Sequence, residues 1–301
     1  MPQQREKRYR QDSNGRQEDG HGVPRDSRGG QQDGYARPRQ RIHHERRDHK
    51  EPRRFHLNPF EQHLIAASGE FVGTFFFLFF GYAGHLMVLD LGESTPGASQ
   101  IIYVSMAYGF SLLVTVWAFY RISGGLFNPA VTLGLCISGG VPWARAPFLI
   151  PAQLIACMCA GALVRVMFPG DVASLNTLLA PGMSIAQGVF AEMFFTAYLV
   201  FVILMLAVEK SKDTFLAPIG IGLALFVAEI PGVYFTGGSL NPARSFGCAV
   251  AAPSFPHYHW IYWVGPVLGA LLASGYYKFI KMYHYEEANP GQDDAHESSD
   301  V

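Results

Sequence analysis

Charged residues are scarce between positions 58 and 283, and most of the charge lies near the two ends of the chain. Fifteen of the 23 Lys and Arg residues fall between Arg5 and Arg54, in a segment with almost no large aliphatic side chains. Such a segment cannot bury a core, so we expect residues 1–57 to form a disordered tail. The acidic end, 284–301, predicts a second disordered tail. The remaining domain, 58–283, contains long apolar runs that predict a membrane protein.

Cysteine is rare as well, and all four cysteines lie within apolar segments: Cys136, Cys157, Cys159 and Cys248. This pattern argues against a disulfide framework and against a zinc site, so we expect neither a metal nor another cofactor. The N-terminal segment has no apolar stretch of the kind found in signal peptides, so we expect this tail to stay in the cytosol. We expect no nucleic-acid partner.

Six apolar segments are long enough, at ~20 residues, to cross a hydrocarbon core ~30 Å thick. They lie at about 64–88, 99–121, 146–168, 185–208, 215–235 and 260–281. If the first helix runs outward, six of the eight remaining basic residues fall on the cytosolic side: Arg121, Arg145, Lys210, Lys212, Lys278 and Lys281. We therefore expect a multi-pass protein of the plasma membrane with both termini in the cytosol.

The chain contains one twelve-residue pattern twice, SGGLFNPAVTLG at 123–134 and TGGSLNPARSFG at 236–247. Glu70 and Thr74 in the first segment are likewise repeated as Glu192 and Thr196 in the fourth. Each half of the chain thus holds three crossings and one copy of the pattern. Because three is odd, the second half enters the membrane from the opposite side, which predicts an inverted repeat.

About ten apolar residues follow each Asn-Pro, which makes a helix of ~15 Å, half the thickness of the bilayer core. Asn is a strong N-cap residue, and Pro suits the first helical position. The glycine pairs before each Asn permit non-helical backbone at membrane depth, which is tolerated where it lines a cavity. The sequence therefore predicts an all-α membrane protein with six transmembrane helices and two half-helices in an inverted 3+3 repeat. The half-helices begin at two motifs that face a narrow channel: Asn128, Pro129, Ala130 and Asn241, Pro242, Ala243.

Two Asn-Pro-Ala motifs on half-helices among six helices resemble the aquaporin family, over about residues 60–282, and the run HWIYWVGP at 259–266 supports the resemblance. The long tails are most similar to those of fungal members. The resemblance implies a homotetramer in lipid with one pore per subunit, which passes water or small neutral solutes and blocks protons. Ser245 after Arg244, together with Tyr262 and Trp263, resembles the water-channel type more than the glycerol-channel type.

The resemblance also implies roles for buried polar residues. Glu70 and Glu192 are expected to brace the two pore loops through backbone donors, with Gln153 as a similar brace. Counting from each Asn without gaps gives four residues of an outer selectivity filter: Tyr108, Glu229, Gly238 and Arg244. Tyr108 and Glu229 match neither the water-channel nor the glycerol-channel pattern, so hydrogen peroxide and glycerol join water as candidate solutes.

The position of Glu229 beside Arg244 leaves three arrangements open. A bidentate pair across the lumen would constrict or close the pore, and a pair along one wall would widen the filter. Alternatively, helix geometry near Pro231 turns Glu229 away, or the count without gaps misses the true filter position. No set of nucleophile, base and oxyanion donors can be assembled, so we expect no enzyme. The alternatives to an open water channel are a coupled transporter, since broken helices also build such sites, and a closed, regulated pore.

Overall fold

The computed structural model describes residues 57–91 and 97–290. Except for Leu57, the predicted N-terminal tail lies outside the described residues, as does the C-terminal tail beyond Pro290. Where that second tail begins, Tyr285–Ala288 form one short 3₁₀ helix. Lys281 binds Glu286 of this turn at 2.8 Å.

Regular structure in residues 57–91 and 97–290 is entirely helical. The α-helices described are α1 (Pro59–Leu91), α2 (Ala98–Phe119), α3 (Pro129–Ser138), α4 (Ala146–Met167), α5 (Ile185–Ile203), α6 (Ala217–Phe235), α7 (Pro242–Ala251) and α8 (Ile261–Met282). A π-helical turn, Leu204–Val208, extends α5, and short 3₁₀ helices at Trp143–Arg145, Val172–Leu175 and Lys212–Leu216 lie in the connections. Helices therefore occupy all six predicted crossings, and a helix of ten residues follows each Asn-Pro.

Five helical stretches of the described chain are long and apolar enough to cross a membrane: Pro59–Leu91, Ala98–Phe119, Trp143–Met167, Ile185–Val208 and Thr214–Phe235. The sixth predicted crossing, α8, has 22 residues and thus the length of a span. Its tyrosines, glycines and two lysines make it less apolar than the other five. Length and position agree with the prediction of six crossings, whereas apolar composition alone marks five.

Glycines allow the long helices to approach each other closely, as in other membrane bundles. A Cβ atom on Gly222 of α6 would lie 2.7 Å from the carbonyl oxygen of Gly109 in α2, and a Cβ on Gly109 would lie 2.9 Å from that of Gly222. Likewise, a Cβ on Gly161 of α4 would lie 2.9 Å from the carbonyl oxygen of Gly247 in α7. Larger residues at these positions would push the backbones apart.

The two halves of the chain have matching contacts. In the first half α1 packs against α2 and α4, and in the second α5 packs against α6 and α8. Each half-helix packs against the last helix of the other half, α3 against α8 and α7 against α4. Because α3 and α7 meet at their N-termini, they run in opposite directions. The predicted all-α fold with an inverted repeat is confirmed.

Candidate functional site

The two asparagines of the repeated motifs cap their own helices and also join the two loops. Asn128 Oδ1 accepts from Ala130 N at 2.8 Å, and Asn241 Oδ1 accepts from Ala243 N at 2.9 Å. Asn128 Nδ2 donates to the carbonyl oxygen of Leu240 at 2.9 Å. Asn241 Nδ2 donates to the carbonyl oxygen of Phe127 at 2.8 Å. Helix capping therefore accounts for the Oδ1 atom of each asparagine. The Nδ2 atom of each asparagine binds the opposite loop instead.

The backbone immediately before each asparagine is strained. Phe127 and Leu240 have φ angles of 52° and 50°, a left-handed conformation that non-glycine residues adopt at a cost of about 1–3 kcal/mol. In both cases the carbonyl oxygen of the strained residue is the acceptor for the opposite asparagine. The strain thus occurs where the two loops meet.

Buried carboxylates hold both loops in this conformation. Glu70 accepts from Leu126 N at 3.0 Å and from Phe127 N at 2.7 Å. Gln153 Nε2 donates to Glu70 at 2.7 Å and to the Thr132 hydroxyl at 2.9 Å. Both oxygens of Glu70 therefore bind loop backbone, in the arrangement that the family resemblance implies.

The second loop is held in the same way with a different side-chain partner. Glu192 accepts from Ser239 N at 3.1 Å and from Leu240 N at 2.7 Å. The Thr236 hydroxyl, at 2.6 Å, contributes a side-chain donor to Glu192 as Gln153 does to Glu70. Sequence reasoning missed Thr236, although its place at the start of the repeated pattern was a usable signal.

A narrow cavity runs past the meeting point of the loops. Its volume for water-sized molecules is about 20 Å³, and one water needs ~10–15 Å³ by this measure. Six polar side chains line it, namely Tyr108, Asn128, Glu229, Ser239, Asn241 and Arg244. Most of the other lining residues are apolar, and they include Phe77, Leu112, Val131, Leu199, Ile203, Ile221 and Leu225. The cavity thus has room for about one water beside a short series of polar groups.

Three of the four predicted filter residues lie together in this cavity. Tyr108 and Arg244 are stacked, with the guanidinium carbon 5.0 Å from the ring centroid. Arg244 Nη1 donates to the carbonyl oxygen of Leu175 at 2.7 Å, while Nε and Nη2 have no protein partner in the described chain. Oε2 of Glu229 is also buried without a partner. Two residues that line the cavity therefore hold two buried donors and one buried acceptor without a partner.

The expected bidentate pair between Glu229 and Arg244 is not formed, either across the lumen or along one wall. Within the described residues, the ion pairs join Lys281 to Glu209 and to Glu286. Glu229 is not turned away either, since it lines the cavity. Its carboxylate lies against Gly238, where an added Cβ would overlap Oε2 and would lie 2.9 Å from Cδ. Arg244 binds the carbonyl oxygen of Leu175 instead. The carboxyl group of Glu229 occupies the space that the missing Cβ of Gly238 leaves.

Gly238 itself does not line the cavity but lies behind the Glu229 carboxylate. We therefore expect Gly238→Ala to push that carboxylate into the lumen and to lower water permeability severalfold in reconstituted liposomes. Since Gly238 has a φ of +63°, backbone strain alone could lower the yield of folded protein. Gly182→Ala is the matched control, because its φ is +88° and nothing lies within 4 Å of the added Cβ. Equal permeability of folded Gly238→Ala and Gly182→Ala would contradict the expectation.

Other groups near Arg244 were not anticipated from the sequence. Tyr82 of α1 donates its hydroxyl to the carbonyl oxygen of Arg244 at 2.7 Å. A chain of hydroxyls runs from Thr177 to Ser245 at 2.9 Å and from Ser245 to Ser239 at 2.6 Å. Ser245 was singled out only as a marker of the water-channel type. These contacts fasten the second loop to the segment after α4, which carries no motif.

A wider vestibule continues from the cavity at one end. Its volume is about 510 Å³, and its lining includes Arg121, Arg145 and Lys210. Leu126 and Val131 line both the vestibule and the narrow cavity. Arg121, Arg145 and Lys210 are among the basic residues that the sequence analysis predicts on the cytosolic side.

Comparisons with known proteins agree with this architecture. A model of the major intrinsic protein family matches residues 58–277. A Gibberella zeae protein described as probable aquaporin-3 is 68% identical over 250 residues, which is 81% of this chain and 87% of that protein. Aquaporin-7 of Botryotinia fuckeliana is 57% identical over 244 residues, which is 78% of this chain and 54% of that longer protein.

A solved structure shares the fold. The aquaglyceroporin of Plasmodium falciparum superposes with a TM-score of 0.63 at 21% identity, covering 72% of this chain and 95% of that one. At this identity the likeness concerns the fold and not the solute. Because the family model spans most of the chain and a relative at 68% identity covers four fifths of it, the chain belongs to the major intrinsic protein family, which consists of aquaporin-type membrane channels and not of enzymes.

Proposed function

We propose that the protein is a passive channel that conducts water, and also hydrogen peroxide and glycerol, and that it excludes ions and protons. The observation that carries this proposal is the pair of asparagine amides at the narrow cavity. Each Nδ2 has two protons and makes one hydrogen bond to the opposite loop. The second proton of Asn128 and of Asn241 is available to a passing oxygen atom. A water that accepts from both amides turns, which interrupts the hydrogen-bonded chain needed for proton hopping.

Electrostatics at the same place support exclusion of cations. The N-termini of α3 and α7 converge at the two asparagines, and each helix contributes roughly half a positive charge there. Arg244 adds a full charge to the cavity wall, and within residues 57–91 and 97–290 no carboxylate pairs with it directly. A cation in a cavity with room for about one water would lose its hydration shell against these positive groups.

The free polar groups at the outer end of the cavity favour neutral solutes that both donate and accept hydrogen bonds. Glu229 offers an acceptor, and Arg244 offers two donors. Water, hydrogen peroxide and the hydroxyls of glycerol can each satisfy both kinds of group. The small cavity favours water and peroxide over glycerol, and water as the main solute agrees with the similarity to fungal proteins described as aquaporins.

We further propose a homotetramer in the plasma membrane with both termini in the cytosol. The positive-inside rule supports this orientation, because Arg121, Arg145 and Lys210 line the wider space at one end of the narrow cavity. Large apolar side chains on the outer faces, such as Phe80, Val114 and Trp117, are exposed in the single subunit. Lipid or neighbouring subunits would cover them.

Liposomes carrying the purified full chain test the proposed function. In stopped-flow experiments we expect fast osmotic shrinkage by water, slower entry of peroxide and glycerol, and no steady cation current. Protein-free liposomes give the baseline. Saturable flux that depends on a coupling ion would favour a transporter, and water flux at the baseline would favour a closed pore. A sizeable steady cation current would overturn the proposal.

A further inference from the structure

The wider vestibule carries a positive charge that no acidic residue of its lining balances. Arg121, Arg145 and Lys210 line it, and the other lining residues are uncharged. Arg121 and Lys210 are exposed, and Arg145 is half-buried. Within residues 57–91 and 97–290 the ion pairs all involve Lys281, so none of the three cations has a carboxylate partner there. The vestibule therefore attracts an anionic group.

The acidic end of the chain carries the complementary charge. Residues 291–301, GQDDAHESSDV, contain four acidic residues and no lysine or arginine. Residues 1–57, at the other end, contain fifteen basic and nine acidic residues, so their net charge has the same sign as that of the vestibule. Charge therefore favours the segment 291–301 as the occupant of the vestibule.

Contacts at the end of α8 bring the start of the acidic end close to the vestibule. Lys281 binds Glu209 at 3.2 Å and Glu286 at 2.8 Å. The Tyr277 hydroxyl also donates to Glu209. Glu209 immediately precedes Lys210, which lines the vestibule. The eleven residues that follow position 290 can extend about 35 Å, so the segment is long enough to enter the vestibule.

We propose that the segment 291–301 docks in the vestibule of its own subunit and restricts entry to the narrow cavity. The inference rests on the proposed function, since it concerns flux through the same channel. Leu126 and Val131 line both the vestibule and the narrow cavity, so a peptide held in the vestibule lies across the path of the solute. Exposed ion pairs are individually weak, but the tether raises the effective concentration of the segment. The block is therefore partial and reversible.

Neutral variants of each side test the docking in full-chain protein reconstituted into liposomes. The tail variant replaces all four acidic residues: Asp293→Asn, Asp294→Asn, Glu297→Gln and Asp300→Asn. The vestibule variant combines Arg121→Gln and Lys210→Gln. We expect each variant to raise water permeability about threefold, since several weak ion pairs hold the segment, and we expect the combined variant to give no further rise. Lys278→Gln is the matched control, because Lys278 is an exposed cation of α8 that does not line the vestibule.

Salt and charge reversal test the same contact in two further ways. The Debye length falls from ~10 Å at 0.1 M salt to ~3 Å at 1 M. Equal potassium chloride on both sides, with sucrose as the osmotic gradient, is therefore expected to raise wild-type permeability and to leave the tail variant unchanged. Asp293→Lys with Asp294→Lys, or Arg121→Glu with Lys210→Glu, should also raise permeability. All four reversals together should restore the wild-type value.

The outcomes distinguish this segment from other occupants. Wild-type permeability in the tail variant would overturn the inference. A rise in the vestibule variant alone would also overturn it, because a free anion or residues 1–57 would then be the occupant. If the vestibule variant does not fold, as judged by gel filtration and circular dichroism, the salt dependence of the wild type and the tail variant decides. Water flux at the protein-free baseline in both of these proteins would overturn the proposed function instead.

Discussion

Channels in which Glu192 is replaced by leucine are expected to lose nearly all water permeability. Glu192 is fully buried and accepts from three donors of the second pore loop, which are Thr236 Oγ1, Ser239 N and Leu240 N. Leucine accepts from none of them. Each buried donor left without a partner costs ~1–3 kcal/mol, so the two backbone N–H groups alone cost about 2–6 kcal/mol.

That cost falls on a loop that is already strained. Leu240 has a φ of 50°, a conformation that persists only where the surroundings hold it. The Leu240 carbonyl also accepts from Asn128 of the other loop, so the change spreads to both motifs. We therefore expect the loop to rearrange and to block the narrow cavity.

Stopped-flow water permeability of liposomes with equal amounts of folded protein measures the effect. Glu192→Gln should give an intermediate loss, because one amide oxygen can still accept but the amide nitrogen cannot. Asp90→Asn, an exposed acidic residue near the end of α1, is the control for loss of a carboxylate. Wild-type permeability in Glu192→Leu would show that the loop is held by other contacts.

Replacing Glu229 with histidine is expected to raise the ratio of water to glycerol permeability about tenfold. Glu229 offers a free acceptor oxygen at the cavity wall, which a glycerol hydroxyl can use as it passes Arg244. A buried polar group left without a hydrogen-bond partner changes discrimination by ~1–3 kcal/mol, and about 1.4 kcal/mol corresponds to a factor of ten. Water, which is smaller and binds both asparagines, depends less on this acceptor.

The glutamine variant separates the carboxyl group from side-chain shape. Glu229→Gln keeps the side-chain volume against Gly238 and one acceptor oxygen but cannot ionise, so an equal change in Glu229→Gln and Glu229→His would assign the effect to the carboxyl group and not to side-chain shape. Hydrogen peroxide flux, measured in the same liposomes, is expected to fall relative to water in both variants. Unchanged ratios for water, glycerol and peroxide would show that solutes do not contact the Glu229 carboxylate.

Much of the central site could be predicted from the sequence because its determinants are local and repeated. An asparagine followed by proline caps a helix wherever it occurs, so Asn128 and Asn241 mark the starts of α3 and α7. The odd number of crossings between the repeats makes the halves inverted. Counting from the asparagines also selected Tyr108, Glu229 and Arg244, and these three residues line the same narrow cavity.

Contacts between segments far apart in the chain were decided by the tertiary structure alone. Arg244 is held by the carbonyl of Leu175 and not by Glu229, and a carbonyl acceptor leaves no mark in the sequence because every residue has one. The carboxylate of Glu229 lies against Gly238 because a missing Cβ leaves room there. His85 reaches Tyr108 only because α1 and α2 pack closely at Gly81. Local patterns set the helices and their caps, whereas the state of the filter depends on which polar atoms the packed helices bring within hydrogen-bonding distance.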